Sequence, residues 1–463
     1  MESHSAETVS RIRFPAWLRW NPSVAVAIAF LIGFSYMKWI EPLDVTVVQT
    51  DSRVADPEIP GRALIDDEIQ YLQIAKRVAD GVGYQREPGG KPTAVRVPGY
   101  PLYVAALFKA FGPGVTVALF GNALLISLLP ALAFALAKPV FGYKTAVVAS
   151  YFCAFNPGLY YLGLSRAYSE PLFAVLLCCG TAMWQRKDRS RRPANAFAAG
   201  ALYGAASLTR TGYVGLPVLL TLAEAGWPKR KWRWRNAIAL SLAFLLVLSM
   251  WGLRNWIVMG TPMLSSTNDG VTLLGTVLAA ERGRGDWLNP EDVAPRYAEI
   301  QRLPNEIESS RTAMQTALGE LRDISPTTLF KVAAKRVLRF WIPLNRIVSD
   351  ELSLKANITA NLLYFPLIPL AAVGLWRARH SASIIPLLSP CLYATLLAAI
   401  SWGGTRFRYG LEPILAVFGA YGLVQIAQRF GIFSGPHFAT AARDEDGIAV
   451  RRPTGVDILD RPA

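Results

Sequence analysis

Apolar residues fill the windows 22–40, 145–162, 169–184, 236–253, 358–375 and 384–400 almost without an ionised side chain, and polar residues gather between them. A helix of about 18 or more apolar residues crosses the ~30 Å hydrocarbon layer with every backbone N–H and C=O satisfied internally. By that criterion the chain carries about ten spans, over 22–40, 117–137, 145–162, 169–185, 194–209, 211–226, 236–253, 358–376, 384–400 and 411–427. Those over 194–209 and 211–226 are the weakest, but Gly and Pro are tolerated where membrane helices pack together. The segment 100–111 is too short to cross and suits a helix lying in the interface. The pattern predicts an all-α polytopic membrane protein with external juxtamembrane helices.

Lysine and arginine set the expected orientation. Arg11, Arg13 and Arg19 precede the first span, Lys138 and Lys144 follow the second, Arg186–Arg192 the fourth, Lys229–Arg235 the sixth, and Arg377 and Arg379 the eighth. With ten spans all these clusters fall on one side, which the positive-inside rule makes cytoplasmic. The expected organisation is a cytoplasmic N-terminus (1–21) and a transmembrane region (22–253) whose first external loop is 41–99. An external segment (254–357), C-terminal transmembrane helices (358–428) and a flexible cytoplasmic tail (429–463) follow. Val24–Trp39 has no small-residue cleavage site after it and reads as a retained first helix.

Composition narrows the function. Of the 463 residues 52% are hydrophobic and only 17% charged, against about 25% charged in soluble domains; mean hydropathy is +0.28. The net charge of +15 sits in short clusters beside apolar spans, so it points to membrane lipids and not to nucleic acid. The four cysteines lie in or beside apolar spans and form no disulfide framework, and three histidines argue against a His-built metal site.

Candidate chemistry concentrates in the outer segments. Asp66-Asp67-Glu68 opens a short helical pattern outside the first span; it reads either as an acidic helix start or as a working acidic cluster. Arg96 reads as a head-group anchor or as a cation for phosphate. Glu170 heads the fourth span, where a carboxylate needs hydration or a partner, and Arg166 is the nearest candidate. Arg406 and Arg408, between the last two spans, are arginines on the outer side, and Trp251-Gly-Leu-Arg254-Asn255 marks the entry into the large external segment. A site that removes a hydroxyl proton while expelling a phosphate needs both a carboxylate and cations.

At these residues the sequence resembles the GT-C membrane glycosyltransferases, in particular the glycosyltransferase 39-like group of protein O-mannosyltransferases and aminoarabinose transferases. Asp67-Glu68 with Tyr71 is similar to that group's Asp-Glu-x-x-Tyr, and Arg96-Val-Pro-Gly-Tyr-Pro to its basic-Pro-Pro element, although Val97 replaces the first Pro. Ser169-Glu170, Gly204 to Leu208-Thr-Arg210, Trp251-Gly-Leu-Arg254-Asn255 and Arg406-Phe-Arg408-Tyr resemble four later elements, all in order. Asp66 leaves two aspartates for one catalytic place, and the Glu and Tyr spacing selects Asp67.

The resemblance implies an inverting transfer of a sugar from a polyprenyl-phosphate donor to a lipid, glycan or protein acceptor on the periplasmic face of a bacterial inner membrane. Asp67 would be the base, and Glu170 a second acid positioning the acceptor or an arginine. Arg96 and Arg408 would neutralise the departing phosphate, with Arg254 behind them; Glu68, Tyr71, Arg166 and Arg406 would complete the substrate site. No cofactor or essential divalent metal is expected. A lipid-linked glycan ligase or polymerase is the alternative enzyme. A transporter or flippase is the alternative class, but it predicts midplane charges and repeats that this sequence lacks.

Overall fold

The computed structural model describes residues 21–39, 54–55, 63–64, 66–87, 89–190, 193–227, 233–342 and 361–430. Most of the expected N-terminal segment, much of 40–65, the stretch 343–360 and the expected tail lie outside the described residues, as does the side chain of Asp66. The first nine helices are α1 (Pro22–Trp39), α2 (Asp66–Ala79), α3 (Gly99–Phe111), α4 (Val115–Ala154), α5 (Pro157–Leu164), α6 (Glu170–Ser190), α7 (Ala194–Ser207), α8 (Leu216–Ala225) and α9 (Trp234–Met259). A small module follows: α10 (Asp269–Glu281), α11 (Pro290–Val293), α12 (Pro295–Gln301), α13 (Glu306–Asp323) and α14 (Pro326–Trp341). The chain then returns through α15 (Tyr364–Ala378), α16 (Ile385–Ile400) and α17 (Glu412–Arg429). A two-residue antiparallel ladder, Val54–Ala55 on Ala63–Leu64, is the only sheet among the described residues.

Among the described residues, four helical segments are long and apolar enough to cross a membrane: Val115–Ala154, Trp234–Met259, Ala382–Ile400 and Thr405–Arg429. Shorter apolar helices, Pro22–Met37, Thr211–Ala225 and Tyr364–Ala378, accompany them. Along α9, Leu242, Leu245, Leu246, Met250 and Leu253 are all more than half exposed. A contiguous apolar face of this kind marks a membrane or protein interaction surface, and along a helix this long and apolar it suits acyl chains. The chain is an all-α, polytopic integral membrane protein.

Two expected boundaries shift for local reasons. Helix α4 joins the span 117–137 to the first half of 145–162 through Gly142, whose φ of +81° lies in the left-handed region. The stretch expected to run unbroken to residue 162 stops at Ala154. Asn156 Oδ1 accepts the Gly158 N–H at 3.0 Å, and Pro157 opens α5, where its missing N–H costs nothing.

Helix packing relies on small residues. A Cβ at Gly200 of α7 would sit 2.1 Å from Leu240 O of α9, and one at Gly374 of α15 would sit 2.0 Å from Phe418 O of α17. Backbones approach this closely only where no side chain intervenes. The module α10–α14 has a core of its own, built from Leu274, Val277, Leu278, Tyr297, Ala313, Ala317 and Val332. Replacing Gly200→Leu should separate α7 from α9 and cost about 1–3 kcal/mol. In detergent the unfolding midpoint should fall by several degrees; an unchanged midpoint would show that the helices do not touch there.

Candidate active site

Five separate segments deliver polar side chains to one end of the bundle. Helix α2 contributes Asp67, Glu68 and Tyr71 from its first two turns, and the loop before α3 contributes Arg96. Glu170 is the first residue of α6, Arg210 follows the end of α7, and Arg406 lies in a 3₁₀ segment, Thr405–Leu411, ahead of α17. Chain contacts hold these ends together. Gly99 N–H donates to Leu208 O at 2.7 Å, and a Cβ at Gly99 would meet Thr209 Oγ1 at 2.4 Å. The loop carrying Arg96 is thus stapled to the turn carrying Arg210.

At the centre, guanidinium groups alternate with carboxylates. Arg96 Nη2 donates to Asp67 Oδ1 at 2.5 Å, and Arg406 Nη1 donates to Asp67 Oδ2 at 3.1 Å. Arg406 Nε also donates to Glu170 Oε1, and Arg210 Nη1 donates to the same oxygen at 2.6 Å. Arg406 therefore bridges the two acids. Asp67 and Arg406 keep 31% and 26% of their side chains exposed, whereas Glu170 keeps 2%; the cluster is open on the Asp67 side. Glu170 Oε2 is buried and accepts no hydrogen bond from the described residues.

Aromatic rings back each cation. Arg96 lies 5.4 Å from the ring centre of Tyr71, Arg406 3.6 Å from Tyr168, and Arg210 4.6 Å from Phe407. Gln70 Oε1 accepts from Arg96 Nε at 2.8 Å, which fixes the guanidinium plane. Burial alone would raise the Asp67 carboxyl, but Arg96 and then Arg406 hold it well below the usual carboxylate range. In this pairing Asp67 is fully ionised and a weak base.

The neighbouring acid, Glu68, is fully buried and braces the backbone. Its Oε1 accepts the Ala167 N–H at 2.7 Å, and its Oε2 meets Arg166 Nη1 at 3.4 Å. Arg166 thus pairs with Glu68, and the partner expected for it, Glu170, is held by Arg210 and Arg406 instead. Tyr71 OH reaches Ser169 Oγ at 3.5 Å.

No protein-family profile matches the sequence, and no curated protein is similar to it. Solved structures are similar in shape. The apo oligosaccharyltransferase of Archaeoglobus fulgidus aligns at TM-score 0.54 with 17% identity, covering 93% of this chain and 53% of that one. The AglB oligosaccharyltransferase of the same organism, in complex with an inhibitory peptide and a dolichol-phosphate, aligns at TM-score 0.50 with 15% identity, covering 93% and 52%. The chain has the GT-C fold. It spans about half the length of those two proteins. ArnT from Cupriavidus metallidurans bound to undecaprenyl phosphate aligns at TM-score 0.38 with 16% identity, covering 89% of this chain and 79% of that one.

Within this GT-C bundle two expected site arginines lie apart from the cluster. Arg408 is buried: Nε donates to Glu412 Oε1 at 3.0 Å, Nη1 to Phe340 O at 2.9 Å and Nη2 to Asn361 Oδ1 at 3.3 Å, with the Tyr364 ring 3.5 Å away. A 3₁₀ turn advances about 120° per residue, so Arg406 and Arg408 cannot face the same way. Arg254 lies behind the Arg96 loop, donating to Thr93 O at 2.8 Å and Tyr84 O at 3.1 Å. Arg210 was not among the expected site residues; its signal was the basic residue closing Leu208-Thr-Arg210. Asp269, at the start of α10, is a second addition: it accepts from Thr211 Oγ1 at 3.3 Å, and burial raises its carboxyl.

The Asp67 pairing has a defined pH dependence. Its folded pKa lies below the ordinary value of about 4. The ionised pair therefore contributes fully above the unfolded value and is lost only as pH falls through the folded one. The stability difference between wild type and Asp67→Asn should stay flat from about pH 8 to about pH 5 and shrink only in stronger acid. A difference that already decays near neutrality would contradict the pairing.

Proposed function

We propose that the protein is a glycosyltransferase that moves a sugar from a polyprenyl-phosphate carrier to a lipid, glycan or protein acceptor, on the outer face of a bacterial inner membrane. The observation that carries this reading is the Asp67–Arg406–Glu170 bridge, with Arg96 and Arg210 beside it, at one end of a GT-C bundle. The end of the bundle opposite this cluster carries Lys138, Lys144, Arg186, Arg377 and Arg379, which supports a cytoplasmic assignment there. The similar archaeal oligosaccharyltransferase was solved with a dolichol-phosphate and a peptide, which supports a lipid-phosphate carrier as the donor class.

The proposed step is a single in-line displacement. A hydroxyl or amine of the acceptor attacks the anomeric carbon, the bond from that carbon to the phosphate oxygen breaks, and the configuration inverts. The electron pair leaves with polyprenyl phosphate and the acceptor proton passes to the Asp67 carboxylate. Charge grows on the phosphate as it departs. The five paired side chains hold three guanidiniums against two carboxylates, a surplus of one positive charge, available to stabilise it.

Asp67 must gain basicity before it can accept a proton. A phosphate entering beside Arg96 and Arg406 competes with Asp67 for the same N–H donors. Once those guanidiniums turn to the phosphate, the carboxylate loses the charges that depress it. Donor binding thus prepares the base, and the buried Glu170 keeps Arg406 and Arg210 in place meanwhile.

Among the described residues no group of three His, Cys, Asp or Glu side chains is arranged to hold a metal ion. Arg406 already spans the two acids that a cation would join, so we propose transfer without a divalent metal. The test uses purified protein in nanodiscs with EDTA and a panel of polyprenyl-phosphate sugars, reading release of polyprenyl phosphate. Asp67→Asn should lower turnover by about 10²–10⁴-fold, the range of a positioned general base, while still binding undecaprenyl phosphate. Turnover equal to wild type would remove Asp67 as the base.

A further inference from the structure

The loop Pro92–Pro98 that carries Arg96 has no regular secondary structure of its own across residues 93–97, yet Ala94 is fully buried and Val97 nearly so. Val95 N–H donates to Thr93 Oγ1 within the loop at 3.1 Å, but several of its other backbone groups are satisfied from distant segments. Arg254 donates to Thr93 O, Thr267 N–H donates to Ala94 O at 3.0 Å, and Ser266 Oγ donates to Val95 O at 2.6 Å. Tyr84 OH donates to Arg96 O at 2.9 Å. The remaining clamp is a charge. Glu306 Oε1 accepts the Ala94 N–H at 2.6 Å and its Oε2 accepts from Thr93 Oγ1 at 2.8 Å.

Glu306 is the first residue of α13 and belongs to the module α10–α14, 212 positions along the chain from Ala94. An acid in the first turn of a helix ordinarily serves that helix by facing its exposed N–H groups. Here Asn305 caps α13, its Oδ1 accepting from Ile307 N–H at 3.0 Å, and both oxygens of Glu306 are committed to the loop. A carboxylate accepting a backbone N–H is a strong, directional contact. Without it a buried N–H would be left unpaired at a position two residues before Arg96.

We propose that Glu306 is a positioning residue for Arg96: the external module fixes, through this one carboxylate, where the guanidinium meets Asp67 and the incoming phosphate. The phosphate part of this assignment rests on the function proposed above; the loop-holding part does not. Glu306 touches no reacting atom and acts entirely through Arg96.

The experiment combines two readouts on full-length protein in nanodiscs. Hydrogen–deuterium exchange follows the peptide over residues 92–98 with no ligand present, and undecaprenyl phosphate serves as the binding probe. In Glu306→Ala the loop should exchange faster and probe affinity should fall roughly fivefold. In an Arg96→Ala background the same change should alter affinity by less than about twofold, because nothing remains for Glu306 to position. Glu306→Gln, which keeps one accepting oxygen, should recover part of both effects. Glu308→Ala, another first-turn acid of α13, should behave as wild type. If Glu306→Ala does not fold, Glu306→Asp, which draws the carboxylate back from the loop by one methylene, should also quicken loop exchange.

Unchanged loop exchange in Glu306→Ala overturns the proposal, and so does an equal affinity loss with and without Arg96. Should wild type fail to bind undecaprenyl phosphate, the donor reading falls and loop exchange alone decides whether Glu306 holds the loop.

Discussion

One guanidinium joins the distant parts of this molecule. Arg406 reaches Asp67 on α2 and Glu170 on α6, adding an ionic bridge where the Glu68–Arg166 and Tyr71–Ser169 contacts already bring those segments together. A carboxylate as buried as Glu170 is tolerated only when its charge is matched and hydrogen-bonded. Among the described residues, removing the arginine would leave that carboxylate with Arg210 as its only ion-pair partner and a second oxygen that accepts no hydrogen bond. The same contact sets the register of the 3₁₀ segment, and with it the turn that sends Arg408 inward to Glu412, Asn361 and Phe340. A structural arginine and a site arginine two residues apart are consequences of one short helix.

The electrostatics of the cluster work against base catalysis until something changes. Paired with Arg96 and Arg406, Asp67 is held ionised and weakly basic. An anion that draws the guanidiniums away reverses this. Phosphate suits that role, since arginine's planar fork engages it as readily as it engages a carboxylate. The aromatic rings beneath Arg96, Arg210 and Arg406 limit how far each cation can swing, so the exchange is a rotation at a fixed place and not a rebuilding of the site.

Much of the bundle was legible in the chain because membrane helices announce themselves by length and hydropathy. Interruptions were less so. The break after Ala154 depends on Asn156 and Pro157 inside an otherwise apolar run, and the bend at Gly142 on a single backbone angle. The acids at 67 and 170 and the arginines at 96 and 406 stood out as charges beside apolar spans. Their pairing did not: sequence proximity suggested Arg166 for Glu170, while the fold brings in Arg210 and Arg406 from 40 and 236 residues away. Arg408 looked equivalent to Arg406 because no linear pattern reveals which way a 3₁₀ turn faces. The clamps on the Arg96 loop were invisible for the same reason, since Glu306 reads as an ordinary helix-opening acid until its partners are seen.

The most direct measurement is a cryo-electron microscopy structure of the protein in nanodiscs with undecaprenyl phosphate bound. The account predicts phosphate oxygens within hydrogen-bond distance of Arg96 and Arg406, with Asp67 released from at least one of them and Glu170 still holding Arg406 or Arg210. A phosphate bound elsewhere, with Asp67 still paired to both arginines, would contradict it.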